Sequence, residues 1–156
     1  HQKPETTKAT MALSAPKLRK FLADVPQVNM RLPVKASTQI YEGGLLMFSS
    51  GAVAPVSGAA VFAGVALETV KGGASDGDVN VLVMVQGALE INLTTDTAAI
   101  TAVGVAATFP EATDDDTVRI ETATNITGTP LGRFMRYVSG TTAGVMAISF
   151  KGSSVA

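Results

Sequence analysis

Short runs of apolar residues, separated by turn-forming residues, recur along the chain from about residue 34 onwards and constrain the fold more than any other feature. Runs of this length, bounded by Gly, Pro, Asn, Asp and Ser, are typical of strands in a β-sandwich or barrel. The predicted strands are 34–40, 45–49, 61–67, 79–85, 88–93, 105–109, 118–122, 133–138 and 145–150. The sequence therefore predicts an all-β fold, a small β-sandwich or barrel, in a chain of 156 residues that suits one domain.

One predicted strand, 79–85, has apolar side chains on both faces, because its sequence is VNVLVMV. A strand of this kind needs cover on both sides, from its own chain or from a neighbouring subunit. Oligomerisation is the simpler explanation at this stage, with subunit contacts on strands 79–85 and 145–150. The candidate interface residues are Val79, Val81, Val83, Val85, Val145, Ile148 and Phe150.

Charge divides the chain into a basic arm, residues 1–35, and an acidic body, residues 36–156. The arm contains seven basic and two acidic residues, and the body five basic and eleven acidic residues. Pro26 and Pro33 favour extended backbone, whereas segment 16–23 has the spacing of two helical turns with Ser14 as the cap. We expect a largely extended arm with at most a short helix, most of it lying on something other than its own core. A solvated tail, or an arm that folds back on its own body, is the alternative.

Few residues in the sequence suit catalysis or metal binding. The chain has no cysteine, and its single histidine is His1, at the chain end where no scaffold holds it. Segment 73–77 matches the G-x-S-x-G pattern around Ser75, but a nucleophile elbow needs a following helix and a histidine. The acidic run 114–116 is a weak signal for a cation such as calcium and fits a solvated turn better. We expect no enzyme, no cofactor, no small-molecule substrate and no direct binding of nucleic acid.

The 25 residues between Glu42 and Glu68 carry no charge, which is nominally enough to cross a bilayer. Gly, Ser and Pro residues cut this stretch into pieces of strand length, so it predicts buried strands and no membrane span. The polar first ten residues lack the apolar region of a secretory signal.

Several segments, in order, carry a resemblance to a known family. They are YEGGLLM (41–47), FAGVA (62–66), VQGALEI (85–91), ITAVG (100–104), AATF (106–109), PLGR (130–133) and AGVMAISF (143–150). Together they resemble the head decoration, or capsid cement, proteins of tailed bacteriophages, over about residues 36–151. The arm is longer than in the shortest members of that family.

This resemblance implies a β-sandwich or barrel protein that catalyses nothing. Such proteins are made in the bacterial cytoplasm and assemble, commonly as homotrimers, on the outside of the expanded capsid at capsomer junctions. The major capsid protein would be the partner, and binding would stabilise the shell against the pressure of packaged DNA. Candidate capsid-binding residues lie on the arm and its exit: Lys17, Leu18, Arg19, Lys20, Phe21, Arg31 and Lys35.

Two other functions stay open at this stage. A phage fibre or carbohydrate-binding module uses similar β architecture, and Tyr41 and Tyr137 on one exposed face would support it. An esterase built on Ser75 would need a substitute for the missing histidine.

Overall fold

The computed structural model describes residues 13–57, 61–93, 104, 106–108, 115–120, 130–138 and 143–148. In these segments the chain forms eleven strands and no helix, which confirms the predicted all-β sandwich or barrel class. The strands are β1 Val28–Pro33, β2 Gln39–Ile40, β3 Leu45–Ser49, β4 Ala52–Pro55, β5 Phe62–Ala66, β6 Val70–Lys71, β7 Asn80–Leu93, β8 Ala106–Thr108, β9 Thr117–Ile120, β10 Pro130–Tyr137 and β11 Ala143–Ile148.

Strand β7, with 14 residues, is common to both halves of the fold. Its first half pairs with β1 on one side and β5 on the other, and β3 and β4 continue the sheet from β5. Its second half pairs with β11, and the path β11–β10–β8–β9 returns to β7 to close a ring of five strands. Strands β2 and β6 form a separate two-stranded ribbon.

A kink at Gly87 lets β7 serve both halves. Gly87 has a φ of +150°, and a Cβ atom there would come within 2.8 Å of Met84 Sδ. Val83 lies in one core and Leu89 in the other, although both have odd positions in the same strand, so the side-chain alternation changes sense between them. The two strands predicted at 79–85 and 88–93 are therefore one bent strand.

Buried apolar side chains form two clusters, and β7 contributes to both. The first contains Leu45, Val56, Phe62, Val65, Met84, Leu89, Ile91, Val118, Phe134, Met146 and Ile148. The second contains Val34, Ile40, Leu46, Val53, Ala63, Ala66, Val81, Val83 and Val85.

This burial corrects the expected subunit interface. The doubly apolar strand is covered on both faces, as predicted, but the cover comes from its own chain. Val81 and Val83 are fully buried, and Val79 packs against the second cluster. The other interface candidates that the structure describes are buried too: Val85, Val145 and Ile148. Phe150 lies outside the described residues. Side chains enclosed by their own chain offer no surface to a second copy.

The described part of the arm lies on the body, contrary to the expectation that most of it would lie elsewhere. β1, inside the arm, pairs with β7 from Val28↔Gln86 to Pro33↔Asn80. The expected helix at 16–23 does not form, because its backbone bonds to β7: Leu22 N–H donates to Ala88 O at 3.0 Å, and Glu90 N–H donates to Lys20 O at 2.8 Å. In the part of the chain that the structure describes, no helix has the length and hydrophobicity needed to cross a bilayer.

Candidate functional site: the docked arm

The side chain of Arg19 fixes the arm to the body. It is only 2% exposed, and its Nε donates to Gly43 O at 2.8 Å. Its Nη2 donates to Asp116 O at 2.7 Å and lies 3.2 Å from Asp116 Oδ1. A planar guanidinium presents several donors in fixed directions, so one side chain can hold both a loop carbonyl and an acidic residue.

Two neighbouring aspartates complete the attachment. Asp116 Oδ1 also lies 2.6 Å from Lys17 Nζ, and Asp115, which is 2% exposed, accepts the Leu13 N–H at 2.8 Å. Asp115 is held in turn by its backbone, whose carbonyl accepts the Leu45 N–H at 2.9 Å. These carboxylates bind the arm and do not form the expected solvated turn. Among the described residues, no group of three or more potential ligands could hold a metal ion.

Glycine at position 43 is needed for the arm to lie this close. Its φ is +87°, and a Cβ atom there would overlap the carbonyl oxygen of Lys17. The Lys17 N–H donates to Glu42 O at 2.8 Å. A side chain at position 43 would therefore both strain the turn and displace the arm.

The arm turns a mixed apolar and basic surface outwards. Leu18 is 84% exposed, and the side chain of Lys20 is 75% exposed, 3.5 Å from Glu90 Oε2. Between the arm and strands β7 and β11 lies an open groove of about 170 Å³, lined by Lys17, Leu18, Arg19, Lys20, Glu90, Asn92 and Ala143.

The structure separates the candidate capsid-binding residues. The residues from Lys17 to Lys20 line this groove, whereas Phe21 packs against the first core. Arg31 Nη1 lies 3.0 Å from Glu68 Oε2. Lys35 Nζ lies 3.5 Å from Asp76 Oδ2, which belongs to a different loop from Glu68.

Asp76 ties that loop to the exit of the arm. The Ala36 N–H donates to its carboxylate at 2.8 Å, and this hydrogen bond, with a smaller contribution from Lys35, lowers the pKa of Asp76 below its ordinary value of 3.8.

The remaining sequence candidates are not brought into one site. Ser75 lies in an exposed turn that leads into strand β7, and its N–H donates to Asp78 Oδ2 at 2.9 Å, so a strand follows it where a nucleophile elbow has a helix. Tyr41 is half-buried after β2, and the side chain of Tyr137 lies outside the described residues.

Sequence reasoning missed Asp115, Asp116 and Gly43 as partners of the arm. The available signal was the charge complementarity between a basic arm and a run of three aspartates. Charge complementarity alone does not show that residues about 100 positions apart in the sequence are in contact. No protein-family model matches the chain, and no curated protein matches it.

Proposed function

We propose that this protein is a structural component of a phage particle, which binds the outside of the expanded capsid at capsomer junctions and stabilises the shell against internal DNA pressure. The resemblance of residues 36–151 to capsid decoration proteins supports this function, and so does the all-β architecture. The observation that carries it is the docked arm, which holds an almost fully exposed leucine between two lysines.

An exposed leucine held at a fixed position can be buried in an apolar pocket of a partner protein, which removes its apolar surface from water. Here the buried side chain of Arg19 and the half-buried Asp116 hold the backbone on either side of Leu18. A segment that is ordered before binding loses less conformational entropy when it binds, which favours affinity. The lysines beside the leucine favour approach to an acidic surface.

Stabilisation would follow from binding linkage. A ligand that binds only the expanded lattice lowers the free energy of that state, by about 2.7 kcal/mol per site at a concentration one hundred times its dissociation constant. Repeated over many equivalent sites, this free energy opposes the rupture of the shell at its seams.

Self-association, as a trimer, belongs to the same proposal and needs side chains that one chain leaves exposed. Phe48 and Val61 suit this role, being 39% and 61% exposed on adjacent backbone, where the Phe48 N–H donates to Val61 O at 2.9 Å. Light scattering of the wild type and of Phe48→Ser tests it, since the variant should shift the protein towards monomer.

Co-sedimentation with purified capsids tests the function. The wild type and Leu18→Ser are mixed with expanded and with immature shells. We expect the wild type to sediment with expanded shells only, and Leu18→Ser to sediment much less. Lys71→Glu, a substitution at an exposed site on β6, serves as a control that should bind normally. A wild type that sediments with neither shell, or equally with both, overturns the proposal.

A further inference from the structure

Strand β1 leaves one of its edges open. Within the described part of the chain, β7 is the only strand that pairs with β1, and it does so along one side. The other side approaches β4 only beyond the end of β1, where the Lys35 N–H donates to Val53 O at 3.0 Å. Asn29, Met30 and Arg31, in the middle of β1, are all exposed. A short stretch of sheet edge is therefore accessible.

The register of β1 on β7 determines which backbone groups point to the open side. The Val34 N–H donates to Val79 O at 2.9 Å, so these two residues form a hydrogen-bonded pair. Such pairs alternate with non-hydrogen-bonded pairs along an antiparallel ladder, and Asn29 and Arg31 belong to the second kind. Leu82, opposite Arg31, agrees with this assignment, because its N–H and carbonyl bond to the segment that follows β5, on the far side of β7.

The backbone N–H and carbonyl groups of Asn29 and Arg31 consequently point away from β7. No described residue donates to these groups or accepts from them. Pro33 has the same phase and has no N–H, so the ladder with β7 loses nothing there and the open stretch ends. Two donors and two acceptors thus face outwards, and the two residues that carry them are about 7 Å apart along the strand.

The side chain of Met30 lies on the core-facing side of the same edge. Met30 is opposite Val83, which is fully buried in the second cluster. Its neighbours on that face, Val28 and Leu32, pack against this cluster, yet Met30 is 41% exposed. A strand added beside β1 would place a side chain directly opposite Met30 and cover it.

The charge at this edge is balanced within the chain. Arg31 Nη1 lies 3.0 Å from Glu68 Oε2, which also accepts the Leu82 N–H at 3.1 Å. The other polar side chain of the open stretch, that of Asn29, is neutral. Two copies of this edge can therefore approach each other without the repulsion of unpaired like charges.

We propose that the open edge of β1 pairs with β1 of a second copy of this chain, antiparallel about a two-fold axis at Met30. In that register Asn29 of each copy lies opposite Arg31 of the other, so all the outward backbone groups of both residues form hydrogen bonds. The two Met30 side chains lie opposite each other, with their Cα atoms about 4.5 Å apart, and cover each other. A shift by two residues towards Pro33 would instead oppose the two Arg31 side chains, which destabilises a sheet. The stretch is self-complementary in the two-fold register, which favours a second copy over a strand of another protein.

Disulfide trapping tests this register directly, because the chain contains no cysteine. Met30→Cys would place two thiols opposite each other, at a Cα separation within the disulfide range of about 4.4–6.8 Å. The control, Met135→Cys, replaces a methionine that is 49% exposed on β10. During air oxidation of the purified full chain, we expect Met30→Cys to form a covalent dimer about ten times faster than Met135→Cys, or more, because pairing raises the effective concentration of the thiols.

A proline substitution tests the hydrogen bonds. Arg31→Pro removes the outward N–H without removing a hydrogen bond to β7, whereas Arg31→Ala removes the same side chain and keeps the N–H. Both are measured by analytical ultracentrifugation in the Phe48→Ser background, which separates this contact from the trimer contact proposed above. Two-fold symmetry removes two hydrogen bonds per dimer, so the dimer dissociation constant should rise about tenfold or more in Arg31→Pro and stay within about twofold in Arg31→Ala.

The outcomes separate the two-fold contact from its alternatives. Equal rates of trapping for Met30→Cys and Met135→Cys overturn the inference, and so do equal dissociation constants for Arg31→Pro and Arg31→Ala. Circular dichroism establishes that the variants fold, and the trapping rates decide alone if Arg31→Pro does not. Faster trapping at Met30 supports the contact whether or not the protein sediments with capsids, because every measurement uses purified protein alone.

Discussion

Replacing Arg19 by alanine should destabilise the protein far more than replacing an exposed cation of the same arm. The guanidinium is 2% exposed and contacts Gly43 O, Asp116 O and Asp116 Oδ1. Removing the donor from a buried acceptor costs about 1–3 kcal/mol, and Gly43 is buried. Breaking a buried ion pair costs about 3–5 kcal/mol when one partner is removed.

The Asp116 carboxylate reduces this cost. Its side chain is 23% exposed and keeps Lys17 at 2.6 Å, so water and the lysine replace part of what Arg19 provided. We therefore expect Arg19→Ala to lower the free energy of unfolding by about 3 kcal/mol, the low end of the range for buried pairs. In a chain of this size, that corresponds to a fall in Tm of about 6–12 °C.

Urea denaturation, with Lys20→Ala as the matched control, measures the difference. Lys20 is 75% exposed and 3.5 Å from Glu90, so its replacement should change stability by about 0–1 kcal/mol. Hydrogen exchange gives a second readout, because the Leu22 and Glu90 amides donate across the junction of arm and β7 and should exchange faster in Arg19→Ala. Equal unfolding free energies in the two variants, with unchanged exchange of these amides, would refute the reasoning.

Three further predictions concern other parts of the fold. A Cβ atom at Gly144 would overlap the Phe134 ring, so Gly144→Ala should lower the free energy of unfolding, measured by urea denaturation, by about 1–3 kcal/mol. In a double-mutant cycle, Phe134→Leu should restore part of this lost stability, and additive effects of the two substitutions would contradict the prediction. Because the pKa of Asp76 is lowered on folding, its ionised form stabilises the native state above pH 3.8, and this contribution should disappear as the pH falls through the lower native pKa. An NMR titration of its carboxyl carbon measures that pKa, and a midpoint at or above 3.8 would contradict it. Deleting residues 1–35 removes β1 and should abolish the native circular dichroism spectrum, whereas deleting residues 1–12 should preserve that spectrum. A native spectrum for the longer deletion would show that β1 is dispensable.

The strand pattern was predictable wherever local sequence determined it. The prediction of 45–49 matches β3 residue for residue, and the buried faces of 79–85 followed from its doubly apolar sequence. The kink at Gly87 was not predictable, because the glycine could equally have ended one strand before another began. β1 was missed, since Asn29 and Arg31 interrupt its apolar residues and the strand ends on Pro33.

The docking of the arm could not be predicted from local patterns. Lys17 and Asp116 are 99 residues apart in sequence, and no periodicity links positions at that separation. The same limit explains the incorrect subunit interface: a strand with two apolar faces requires cover, but its sequence does not say which segment supplies it. Only the arrangement of the whole chain shows that the cover is internal.

Because β7 contributes side chains to both apolar clusters, neither half of the protein can lose its structure alone. Melting the five-stranded ring would free one end of β7 and strip Leu89 and Ile91 of their neighbours, and the bend would transmit that loss to Val83 and Val81. Denaturation should then be a single cooperative transition, with equal calorimetric and van't Hoff enthalpies. A protein built in this way resists the separate opening of either half.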